Sequence, residues 1–173
     1  MIASSSFFFG VVSLAVLLPF LLLSASATSY IDAICSNSPG DKAFCAKTLS
    51  AYPPAASATS TLQAAVATLR LGMSYANKSA DIAGTAEKEN PKLKGSQDAF
   101  LGIIGNLKSS TSELTEDPQT ANYDAMVCYD NTKILEDLVG KNKDKASTTI
   151  FTMTVMMNKL IDLTVGATIA IGG

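Results

Sequence analysis

The chain has 173 residues, 47% of them apolar, with 13 basic and 15 acidic side chains, three Cys, no Trp and no His. Without His there is no Ser-His or Cys-His nucleophile pair and no imidazole ligand for zinc or copper, and three Cys cannot complete an all-Cys metal site. The net charge of −2, with no basic patch interleaved with aromatics, argues against nucleic acid or anionic membrane as a partner.

Residues from Phe7 to Leu23 are almost wholly apolar, and Ala25-Ser26-Ala27 follows. An apolar core and then small residues is the pattern of a signal peptide with its cleavage site. The usual basic residue is missing from Met1 to Ser6, and the competing reading is a membrane anchor. The run is shorter than the roughly 18–20 residues that span a bilayer. The expectation is a signal peptide over 1–27 and one secreted domain over 28–173. A domain of that length can build a core without metal.

Cys35 and Cys45 flank a stretch that includes the turn formers Asn37, Pro39 and Gly40. In an oxidising compartment the two cysteines are expected to pair and staple a short helical hairpin, the alternative being two free thiols. Closing such a loop contributes about 2–3 kcal/mol on the chain-entropy model. Tyr52-Pro53-Pro54 then breaks the chain, and Ala55 to Ser60 reads as a small-residue linker.

Four periodic segments follow. Leu62, Val66, Leu69, Met73, Ala76, Ala80 and Ala83 mark one helix face from Thr61 to Lys88. Leu93, Ser96, Phe100, Ile103, Leu107 and Leu114 mark a second from Lys92 to Leu114. Ala121, Ala125, Cys128, Thr132, Leu135 and Val139 mark a third from Gln119 to Val139, with Pro118 at its start. Ile150, Met153, Met157, Leu160, Thr164, Ala167 and Ile171 mark a fourth from Ala146 to Ile171. Lys159 and Asp162 make this last one a core helix and not a membrane span. Its Met group is core filler more readily than a ligand pocket. Short connections between four amphipathic helices predict an all-α, antiparallel up-down-up-down four-helix bundle after the stapled hairpin.

Asn77-Lys78-Ser79 is an N-glycosylation acceptor pattern. Cys128 is expected to be a buried free thiol, with an intermolecular disulfide or pairing to the hairpin as the sharper alternative. Glu113, Glu116 and Asp117 form an acidic cluster, read as a solvated connection and a helix N-terminus and not as a catalytic carboxyl pair. Lys141, Lys143 and Lys145 with Asp144 read as a solvated loop. Asn106, Ser109, Ser112 and Asn122 are expected on outer faces.

The ordered combination of these features resembles the plant invertase and pectin methylesterase inhibitor family. The resemblance is carried by Ile34-Cys35 with Phe44-Cys45-Ala46-Lys47-Thr48-Leu49, and by Leu93-Lys94-Gly95-Ser96 with Phe100 and Leu107. It continues from Asp117-Pro118 through Leu135-Glu136-Asp137 to Ser147. It implies a non-enzymatic secreted inhibitor without cofactor. Its partner would be a cell-wall carbohydrate enzyme, pectin methylesterase first and invertase second, blocked by one-to-one occlusion of the active-site cleft. The location would be the apoplast, or the vacuole. Two departures stand out. The family's second disulfide would fall at Ser96 and Leu135, and both cysteines are gone together. The family's Pro-Lys-Phe, which enters the invertase active site, falls at Pro118-Gln119-Thr120, without its basic and aromatic members. A secreted interaction protein that keeps the fold without inhibiting is therefore the alternative, and a helical carrier of a small apolar ligand is a third.

Overall fold

The computed structural model describes residues 29–173, and the expected signal peptide over 1–27 lies outside them. The chain is helical over residues 29–37, here α1. Then come α2 (Lys42–Ser50), the short α3 (Pro53–Ala56), α4 (Thr61–Glu89), a 3-10 turn (Pro91–Leu93), α5 (Ser96–Glu113), α6 (Pro118–Val139) and α7 (Lys145–Ile169). The four long helices pack in a ring, α4 on α5, α5 on α6, α6 on α7 and α7 back on α4. This is the predicted up-down-up-down bundle.

Each long helix begins where a side chain takes over the first unpaired N–H groups. Ser60 accepts from the Gln63 N–H at 3.1 Å, and Gln63 Oε1 accepts in return from the Thr59 N–H at 2.9 Å. Asp117 accepts from Thr120 N–H at the head of α6, and Asp144 from Ser147 N–H at the head of α7. The start of α5 differs. The sequence predicts a helix from Lys92, whereas Pro91–Leu93 forms a 3-10 turn and Gly95 takes φ +100° before α5 begins at Ser96. Gly95 has no side chain with which to cap. Glu87 of α4 reaches across instead and accepts from the N–H groups of Gly95 at 3.1 Å and Gln97 at 2.7 Å.

The core is the expected face of α5 and α6, of α7 as far as Ala167, and of α4 in part. Leu69, Phe100, Ile103, Leu107, Leu135, Ile150 and Met157 are fully buried. Leu62, Val66 and Met73 are only partly buried and pack against that core from the side. Met153 and Met157 fill it, while Met156 faces out. By length and composition α7 could cross a bilayer, but most of its apolar window is buried inside the bundle.

Cys35 and Cys45 are disulfide-bonded, with their Cα atoms 5.6 Å apart, so the hairpin of α1 and α2 is stapled as expected. It docks on the C-terminal half of α7. Ser38 Oγ donates to the Asp162 carbonyl at 3.0 Å, and Lys159 Nζ sits 5.2 Å from the centre of the Phe44 ring. The Tyr129 hydroxyl of α6 donates to the Asp162 carboxylate, so one residue of α7 ties hairpin and bundle together.

Candidate functional site

The connection into α6 is where the resemblance places a target contact, so its residues come first. Asp117 closes a tight cap. The Thr120 hydroxyl donates to one of its carboxylate oxygens at 2.7 Å and the Thr120 N–H to the other at 3.1 Å. These bonds hold the Asp117 carboxyl below its ordinary range. Pro118 occupies the first helical position and is half-buried. Thr120 is thus committed to the cap, and Gln119 is the one side chain of the three that stands free in solvent.

Glu113 ends α5 on the other side of this corner. Its Oε2 is buried without a hydrogen-bond partner. Burial first, then the Asp124 carboxylate beside it and the charge of Asp117, push the Glu113 carboxyl up. The helix C-terminus disfavours its charge as well. Glu113 is therefore packed into the corner and is no solvated member of an acidic loop, as the sequence suggested; Glu116 and Asp117 are exposed.

Cys128 is free and buried, as expected. Its thiol lies 3.9 Å from the Ile103 carbonyl and 3.7 Å from that of Asp124, and burial pushes its pKa up to about 12. With Cys35 and Cys45 paired to each other, it has no route to the hairpin. Ser96 and Leu135, where the resemblance would put a second disulfide, are both fully buried, and the Ser96 hydroxyl donates to Glu87 at 3.3 Å. Asn77 is exposed on α4 while Ser79 of its triplet is buried.

The outer-face expectation needs correction. Of the four, Ser112 is exposed; Asn106, Ser109 and Asn122 are half-buried, and Asn122 Oδ1 accepts from the Thr168 hydroxyl of α7 at 2.9 Å. Apolar side chains stand out there instead. Tyr123 is 67% exposed, Ile134 50% and Met126 49% on α6, and Leu101 is 48% exposed on α5. Gly105, one turn beyond Leu101, has open space where a Cβ would be. A second stripe on α6, Tyr123-Met126-Asp130-Ile134, carries the signal in the sequence. It repeats at helical spacing opposite Ala121-Ala125-Cys128-Thr132-Leu135. Such a stripe beside a rim of charge suits a protein partner.

The chain matches no family model, no curated protein and no solved structure in comparisons with known proteins.

Proposed function

We propose that this chain is a secreted protein inhibitor of a cell-wall carbohydrate enzyme, with pectin methylesterase the first target and invertase the second. It acts by seating a rigid bundle face over the enzyme's active-site cleft, and no bond is broken in it. The observation that carries this reading is the exposed stripe of Tyr123, Met126 and Ile134 on a helix packed between α5 and α7. The order of hairpin, staple and bundle, together with the residues that resemble the inhibitor family, supplies the class of target. A one-to-one complex of ordinary size would cover about 1,600 Å² in total.

One observation favours the alternative of a non-inhibitory interaction protein. The slot from Pro118 to Thr120 presents neither cation nor aromatic ring, and Thr120 is spent on the Asp117 cap. This counts most against invertase. The test is titration of the oxidised, secreted protein into a plant pectin methylesterase and a cell-wall invertase at mildly acidic pH. Stoichiometric loss of one activity identifies the target. Full activity of both, with folded protein present, rejects inhibition in favour of the alternative.

A further inference from the structure

The charge of this acidic chain is not evenly spread. The antiparallel order brings the end of α4 and the connection into α5 beside the connection from α6 into α7, where Asn90 donates to Asp144 at 3.3 Å. Residues 87–95 and 140–145 carry six lysines, Lys88, Lys92, Lys94, Lys141, Lys143 and Lys145, against three carboxylates. Two of those carboxylates are occupied, Glu87 by the start of α5 and Asp144 by the start of α7. All six lysines are exposed. Among the described residues the one ion pair is Lys133–Asp137, which includes none of them.

Helix stability does not account for this cluster. Lys88 suits the C-terminal end of α4, but Lys145 opens α7 and Lys94 stands just ahead of α5, where the helix dipole disfavours a cation. Six like charges at one end also repel one another. Phe151, 51% exposed on α7, adds a ring beside them. With Gly140, Lys141, Asn142 and Lys143 it lines a shallow concavity.

We propose that this end of the bundle binds a stretch of carboxylated polysaccharide, a polymer of uronic acids. Lysine ammonium groups pair with the carboxylates as compact point charges, and the Phe151 ring takes the apolar C–H face of a sugar. A nucleic acid fits less well. There is no Arg in the cluster for bidentate phosphate contacts, and one ring is not a stacking platform. The choice of polymer rests on the cell-wall location in the proposed function and on nothing else in it. The site lies at the lysine-rich end, whereas the acidic corner of Glu113, Glu116 and Asp117 lies at the other. The enzyme-docking stripe of Tyr123, Met126 and Ile134 runs along α6, so wall retention and enzyme docking use different residues of one molecule.

The experiment is a binding titration of the purified, full secreted protein with de-esterified polygalacturonate. Fully methyl-esterified polymer, neutral galactan and oligothymidylate serve as comparators. Binding to polygalacturonate is expected, weakening by about tenfold or more between roughly 50 and 200 mM salt. K141E/K143E should weaken it by at least about tenfold, F151A by a smaller factor, and K78E/K108E, elsewhere on the surface, should leave it unchanged. Thermal melts confirm that each variant is folded. No binding, equal binding to the neutral or esterified polymer, equal binding to oligothymidylate, or an unaffected K141E/K143E would each overturn the assignment. Enzyme inhibition by the same preparation, measured with no polymer bound, reports separately on the proposed function.

Discussion

At the scale of single residues, half-buried Glu113 and buried Cys128 have consequences for solution behaviour. Glu113 is harder to ionise folded than unfolded, because its charge would be partly dehydrated beside Asp124. Its contribution to stability is whole below the ordinary value of 4.5 and is lost as pH rises through the raised folded value. The caps Asp117 and Asp144 act in the opposite sense. Both are lowered from 3.8, so their contribution is present above that value and is lost as pH falls through the folded values. These groups together favour a stability maximum at mildly acidic pH. Melting temperature measured from pH 3 to 7 should fall on the neutral side for the wild type, and E113Q should flatten that limb. Parallel curves would mean that Glu113 ionises freely. Cys128, with its pKa pushed up to about 12, has almost no thiolate at neutral pH. Iodoacetamide should therefore leave the native protein unlabelled and add one group per chain in guanidine without reductant. Labelling of the native protein would show that the α5–α6 seam opens.

At the scale of elements, the docking of hairpin on bundle depends on a glycine. A Cβ at Gly166 of α7 would stand 2.6 Å from the Ile34 carbonyl and 2.8 Å from the Ser38 backbone. These are backbone atoms, which cannot turn aside. Gly105 is also in a helix, but a Cβ there meets nothing within 4 Å. Alanine normally stabilises a helix over glycine by about 0.8–1 kcal/mol. Denaturant unfolding should show that gain for G105A and the reverse for G166A, a loss of roughly 1–3 kcal/mol from overpacking. Hydrogen exchange in G166A should rise first in α1 and α2. Equal effects of the two changes would mean that the hairpin is not seated on α7. The long helices were legible in the sequence because their signals are local: Pro118 marks a start, and the apolar rhythm marks the inner face, whereas the caps Ser60 and Asp144 read only as the end of a linker and part of a solvated loop. The start of α5 was not, since it depends on Glu87 reaching from another helix to a glycine at positive φ. The pair Pro53-Pro54 reads as a breaker, yet proline at the first helical position begins α3 as readily as it ends what precedes it.

At the scale of the whole molecule, packing decides which surfaces are left outside. The lysine-rich end exists only because antiparallel packing sets residues 88–94 beside 141–145. The exposed stripe on α6 repeats as regularly as the buried one, and packing decides between them. Ala121 and Ala125 let neighbouring helices approach closely, which turns Tyr123, Met126 and Ile134 outward. A stripe left outside makes no contribution to the core, so its loss should separate binding from stability. Y123D/I134D replaces two exposed apolar side chains with charge and should change unfolding free energy by no more than about 0.5 kcal/mol per site. If the stripe docks on the target enzyme, the same variant should lose inhibition by about thirtyfold or more, the effect of removing a central anchor. Undiminished inhibition by a folded Y123D/I134D would place the docking surface elsewhere on the bundle. A large loss of stability would show instead that the stripe supports the fold, and its exposure would no longer argue for a partner.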